Sequence, residues 1–264
     1  MSYLVNPYMV SPSGGMDDTN LRCYWKFDEV SGDIINQSVS GDSLGSGANL
    51  QNSGGTYNQT GSPSNFGNNM LLDGTNDFLT SGSSMSQYNF LHNNTTDWTI
   101  NAWYKMGSTF SDGRAFFDTH GYSATQNQIG FQTLTNGGYS SAGITMSIGN
   151  GAGLPYPQSF AFANSNGSPM IPNTTAYNMF TWNFLTASQN IEMFSNASAF
   201  STLTPTGYAF TTSDASYSLK LSREAGRSSN FMPCNLLEIS IWSRTLTQDE
   251  LDFLYNSGDG NVIY

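Results

Sequence analysis

Asp73, Asn76 and Asp77 crowd around Gly74, and three side-chain oxygens at that spacing could face one calcium ion. A hard divalent cation takes about six to eight oxygens, several of them anionic, so this set covers only part of a shell. The same residue types build tight turns by bonding local backbone, with the glycine supplying an unusual φ. Gly41-Asp42-Ser43-Leu44-Gly45 matches the G-x-S-x-G nucleophile pattern, but such a serine must follow a buried strand and open a helix. Here it stands in a Ser/Gly-rich loop, and the only histidine bases are His92 and His120. Glycoside hydrolysis needs two carboxylates about 5 to 10 Å apart, normally alternate residues on one strand face. The strands expected below contain no such pair: Glu192 and Glu238 stand alone, and Asp28 and Glu29 point to opposite faces if extended. Two histidines and two distant cysteines, Cys23 and Cys234, make no metal-site spacing. The residue types predict a protein that is not an enzyme and has no catalytic residue. The remaining chemical asset is aromatic. Tyr122, Tyr139, Tyr156 and Tyr177 sit in polar surroundings, where a ring can stack on a sugar while amides and backbone groups read hydroxyls.

Positioning such residues falls to strands. Runs of four to nine residues rich in Phe, Tyr, Trp, Ile and Thr alternate with Gly, Asn and Ser clusters, the pattern of an all-β domain. Strands are expected at 23–28, 69–73, 77–81, 98–106, 114–119, 128–134, 143–149, 159–163, 179–187, 190–195, 217–223 and 236–243. In 179–187, Phe180, Trp182, Phe184 and Thr186 share one face. Leu237, Ile239 and Ile241 likewise oppose Glu238, Ser240 and Trp242. One helix is signalled: Thr247 and Glu250 form a capping box, Leu246 and Leu251 a hydrophobic staple, and Gly258 ends it. Two long polar stretches, roughly 30–68 and 150–178, read as loops. Residues 1–20 differ from the rest. Tyr3, Leu4, Val5, Tyr8, Met9 and Val10 are apolar but interrupted by Pro7, which suits an extended arm lying on a neighbouring subunit. The expected division is an arm over 1–20 and a sandwich domain over 21–264.

The net charge is −11, with three Lys and five Arg against 19 acids. So few cations leave little to neutralise phosphates, which argues against nucleic acid as a partner. Between Ala115 and Leu219 the only charged residues are Asp118, Glu192 and Asp214. An uncharged β-rich stretch invites edge-to-edge pairing unless fixed neighbours cover it. No apolar run approaches membrane-spanning length, and no basic-plus-apolar leader is evident. If the first and last strands pair antiparallel, Cys23 lies near Trp242 and away from Cys234, so a disulfide is not expected.

Four landmarks in order resemble the laminin-G-like, concanavalin-A-like lectin/glucanase superfamily, especially its bacterial and phage branch. They are Trp25-Lys26-Phe27-Asp28-Glu29 with Gly32; Leu72-Asp73-Gly74-Thr75-Asn76-Asp77-Phe78; Trp98-Thr99-Ile100-Asn101-Ala102-Trp103; and Glu238-Ile239-Ser240-Ile241-Trp242 with the Thr247–Tyr255 helix. The resemblance implies a two-sheet antiparallel jelly-roll sandwich with adjacent first and last strands and one short C-terminal helix. It also implies that a relative's calcium loops would fall at Gln126-Asn127 and Glu224-Ala225-Gly226, which offer one carboxylate. That site looks eroded, so no cofactor is expected beyond calcium at Asp73, Asn76 and Asp77. The expected function is a non-enzymatic structural protein of a multi-chain assembly: a bacteriophage virion component such as a head decoration, fibre or tail-associated subunit. It would be homo-oligomeric, contact other structural subunits through residues 1–20, and carry a sandwich able to display a glycan site. The alternative is a lectin-like adhesion module of a cell surface or secreted protein. No membrane insertion is expected.

Overall fold

The computed structural model describes residues 16–82, 84–107, 114–121, 128–136, 143–151, 175–203 and 210–264. Two antiparallel sheets face each other. The eight-stranded sheet runs β12 (Ser198–Leu203), β11 (Asn190–Ser195), β10 (Asn178–Leu185), β6 (Trp98–Met106), β14 (Cys234–Trp242), β4 (Asn69–Leu72), β3 (Thr56–Gln59), with β1 (Leu21–Trp25) also paired to β14. The six-stranded sheet runs β2 (Leu50–Ser53), β5 (Phe78–Ser81), β13 (Leu219–Leu221), β7 (Ala115–Asp118), β8 (Ile129–Asn136), β9 (Gly143–Asn150). The expected jelly-roll sandwich is therefore present, with the first and last strands adjacent.

Alternation explains the core. Phe180, Trp182 and Phe184 of β10 join Trp98, Ile100, Phe117, Phe131, Leu79 and Leu221 between the sheets. Their neighbours Thr181 and Asn183 face the other side and are satisfied there, Asn101 Nδ2 donating to Thr181 Oγ1 at 2.7 Å and Asn183 Nδ2 to the Leu246 carbonyl at 2.9 Å. On that outer face a second apolar cluster joins Trp103, Leu237, Trp242, Leu251, Leu254 and Ile263. Strand β14 departs from the single alternation read from its sequence. Its register against β6 shifts between Leu236 and Glu238, and the extra residue of the bulge turns Leu237 into the outer cluster while Ile239 and Ile241 stay in the inner one.

Helix α1 (Gln248–Tyr255) carries the expected capping box, with Thr247 and Glu250 bonding reciprocally. Left-handed Asn256 (φ 43°), not Gly258, closes it; Gly258 lies in the 3-10 turn that follows. Arg244 grips Glu250 through both guanidinium arms (2.9 and 2.6 Å) and donates to the carbonyls of Asp17 and Thr19, each at 3.1 Å. It thereby holds the end of the expected arm to the body. The stretch 30–68, read as loop, also holds a 3-10 turn (Gly45–Ala48), β2 and β3. Cys23 pairs with Ile241, and both cysteines are free and buried. Arm residues Tyr3, Leu4, Val5, Tyr8, Met9 and Val10, and the strand expected at 159–163, lie outside the described residues.

Candidate functional site

Residues paired directly across an antiparallel ladder share a face. In the six-stranded sheet, Gln51 pairs with Thr80, Thr80 with Lys220, Lys220 with Asp118, Asp118 with Gln132, and Gln132 with Ser147. Six strands thus contribute one continuous polar row to the face turned away from the core. The row runs from exposure to burial: Gln51 is exposed and Thr80 and Lys220 are half-buried, whereas Asp118, Gln132 and Ser147 are buried.

Asp118 is the hub of the buried half. Its Oδ1 accepts the backbone N–H of His120 and of Gly121, each at 2.7 Å. Its Oδ2 accepts Gln132 Nε2 at 2.7 Å and the Ala225 N–H at 2.8 Å. Burial pushes this carboxyl up to about 7, against the pull of those bonds, with the charge of nearby Glu224 adding to the rise. Burial also raises Glu224, opposed by Asn230, which donates to it at 2.5 Å, and by Arg227 at 3.6 Å. Tertiary structure therefore brings two carboxylates into electrostatic reach of each other that a search along single strands misses. They do not have the form of a hydrolytic pair, because every oxygen of Asp118 is spoken for by a donor and the side chain is fully buried. Its evident work is to tie the loop after β7 to the loop after β13. Beside it, burial lowers His120 to about 4 and also lowers His92.

At the exposed end of the row, Gln51 and Thr80 line a surface depression of about 180 Å³ together with Asp33, Ser46, Gly47, Asn49 and Gly82. Every lining residue is polar or glycine. Gly82 takes a left-handed φ of +86°, which strains any other residue there. Gly47 has room, since a Cβ there would meet only Gln87 Nε2 at 3.5 Å.

The residues singled out from sequence lie elsewhere. Asp73 Oδ1 accepts the Thr75 N–H at 2.7 Å, and Asp77 Oδ2 accepts the Asp73 N–H at 3.0 Å, the bonding of a turn. Among the described residues no three His, Cys, Asp or Glu side chains group as metal ligands. Tyr177 packs at the edge of the outer apolar cluster, with Lys105 Nζ 5.2 Å from its ring centre, on the eight-stranded sheet and away from the depression. Tyr122, Tyr139, Tyr156 and the loop at Gln126-Asn127 lie outside the described residues. The row was partly signalled: Lys220 between Leu219 and Leu221, and Thr80 between Leu79 and Ser81, must face away from the core.

The family model for the concanavalin A-like lectin/glucanases superfamily matches residues 73–252. The chain belongs to this superfamily. The matched segment holds most of both sheets, including all of the row except Gln51. Solved structures with the same fold include the botulinum neurotoxin serotype D binding domain (10% identity, 91% of this chain and 51% of that one, TM-score 0.59). The binding domain of Paraclostridial Mosquitocidal Protein 1 is similar at 15% identity, 90% and 52% coverage and TM-score 0.58. The binding domain of botulinum neurotoxin DC, solved in complex with SialylT, matches at 11% identity, 91% and 52% coverage and TM-score 0.54. This superfamily member spans about half the length of each of those chains. No curated protein sequence matches it.

Proposed function

We propose that this chain is a non-enzymatic, lectin-like domain that binds a glycan at the depression bounded by Asp33, Ser46, Asn49, Gln51 and Thr80. The observation that carries the reading is the lining itself. Small-molecule pockets are usually apolar with a few polar groups, whereas this one offers hydroxyls, amides and a carboxylate with no apolar side chain, a set matched to a polyol. The occurrence of the same sandwich in toxin binding domains, one of them in complex with SialylT, supports it. Gly47→Leu adds bulk at a lining position where a Cβ has room, so a glycan array should show binding by the wild type and at least tenfold weaker binding by the variant. Equal binding by the two would place the site elsewhere.

A second reading concerns the setting, a subunit of an assembly such as a bacteriophage virion, or otherwise an extracellular module. Among the described residues, the strands that end each sheet's path, β2 (LQNS), β3 (TYNQ), β9 (GITMSIGN) and β12 (SAFSTL), carry neither charge nor proline. Isolated proteins usually guard edges with charge or proline, so strands without either suit fixed neighbours. Light scattering of the full chain and of a chain lacking residues 1–15 tests this. A monomer in both cases would count against it.

A further inference from the structure

Arg114, Lys220, Arg223 and Arg227, half of the eight basic residues in a chain of net charge −11, gather around Phe78 and Phe231. Two of them have evident partners: Arg227 pairs with Glu224 at 3.6 Å, and Arg114 donates to the Phe231 carbonyl. Lys220 and Arg223 are different. Among the described residues the ion pairs are Arg227 with Glu224 and Arg244 with Glu250, so neither Lys220 nor Arg223 meets a carboxylate.

Both charges lie against one ring. Lys220 Nζ lies 5.7 Å and the Arg223 guanidinium 4.5 Å from the centre of the Phe78 ring. Burial, and then the charge of Arg223, lowers the pKa of Lys220. Rings can attract a cation through their quadrupole but cannot neutralise two like charges half out of water. Both groups also keep donors in reserve. Lys220 Nζ gives one N–H to Thr80 Oγ1 at 2.9 Å, and Arg223 gives its Nε to the Arg227 carbonyl at 2.5 Å, leaving the forked end of the guanidinium. Thr80 lines the depression. Lys220 therefore adjoins it through a direct hydrogen bond, and Arg223 follows on the Phe78 ring, two residues along β5 from Thr80.

We propose that Lys220 and Arg223 form a subsite for an anionic substituent, a carboxylate or sulfate ester, on the glycan held in the depression. The proposal rests on the glycan-binding reading and specifies its ligand class: acidic rather than neutral sugars. A planar guanidinium beside an ammonium suits either oxyanion, and charge-assisted bonds are the stronger kind. With a net charge of −11 the overall field opposes anions, so affinity depends on these two groups at short range.

The test uses the full chain on an array carrying neutral, sulfated and sialylated versions of the same glycan cores, with inorganic sulfate as competitor. One charge-assisted contact corresponds to roughly tenfold to a hundredfold in affinity. The wild type should prefer the acidic member of a matched pair by that factor. The double variant K220Q/R223Q should bind the two members of the matched pair equally. Arg223→Lys, which keeps the charge, should retain a preference and shows whether loss in the double variant reflects charge rather than folding. Equal binding of neutral and acidic members by the wild type overturns the proposal but leaves glycan binding intact. Preference surviving in the double variant overturns it too. Competition by inorganic sulfate as strong as by the acidic glycan would mark a free-anion site and also overturn it. Binding to no core in any form refutes the glycan-binding reading itself, and this proposal with it.

Discussion

Replacing Asp118 by Asn removes a charge from the buried half of the polar row while keeping the shape of the side chain. Two forces compete at this carboxyl. Four donors, from His120, Gly121, Gln132 and Ala225, favour its ionised form, and complete burial disfavours it. Burial prevails, raising the pKa from an ordinary 3.8 to about 7. A folded-state pKa above the unfolded one means that the folded protein binds the proton more tightly. The associated stability is fully present below the ordinary value, and it is lost as pH rises through about 7. A gap of about three pH units corresponds to roughly 4 kcal/mol. The amide of the variant does not titrate in this range. Urea unfolding of wild type and Asp118→Asn from pH 4 to pH 8 should therefore show the variant gaining on the wild type by about 4 kcal/mol across the window. Taking the difference cancels raised groups common to both proteins, such as Glu238, apart from the coupling of Glu224 to Asp118. The absolute offset at pH 4 reports the two bonds lost where an amide nitrogen replaces one accepting oxygen, and the slope reports the charge. A flat difference would refute the reasoning. A difference of opposite slope would show that the four donors outweigh burial and hold the carboxylate ionised.

Glu238 is buried, accepts a hydrogen bond from the Tyr24 hydroxyl, and has its pKa raised well above the ordinary value by burial. Its stability contribution is likewise lost as pH rises, so Glu238→Gln should stabilise the protein by about 1 kcal/mol or more above neutral pH, measured as a higher Tm at pH 8 than at pH 4 relative to wild type. Arg244→Ala takes the paired cation from Glu250, which keeps only its Thr247 donors, and the guanidinium from the Asp17, Thr19 and Thr245 carbonyls, and should cost roughly 3 kcal/mol. Limited proteolysis should then cut near residues 16–20 faster; an unchanged rate would dismiss Arg244 as their anchor. Because Asp73 and Asp77 already spend oxygens on backbone N–H groups, exchanging calcium for chelator should leave the Tm unmoved. A rise of several degrees with calcium would show a bound ion.

Elements with strong local signals were legible in sequence. The expected limits of 98–106 and 190–195 coincide with β6 and β11, because long apolar alternation and flanking turn residues leave few alternatives. The capping box was legible for the same reason, since Thr247 and Glu250 are three residues apart. Strands β2, β3 and β12 were missed. Their short sequences, LQNS, TYNQ and SAFSTL, show little alternation and lie at or near sheet edges, where one ladder partner suffices. The bulge at Leu237 was invisible because a single extra residue leaves local composition unchanged while inverting which side chains face the core.

The two-sheet arrangement was what the family resemblance implied, whereas the sequence's own pattern determined an all-β domain, its terminal helix, and the outward direction of Thr80 and Lys220 on their strands. These follow from periodicity and capping, which act over a few residues. Tertiary structure alone decided that Gln51, Thr80, Lys220, Asp118, Gln132 and Ser147 form one row, that Asp118 meets Glu224, and that Lys220 and Arg223 share a ring. The period of a strand says which face a residue takes. Which strand lies beside it, and in what register, is set by burial summed over the whole sheet.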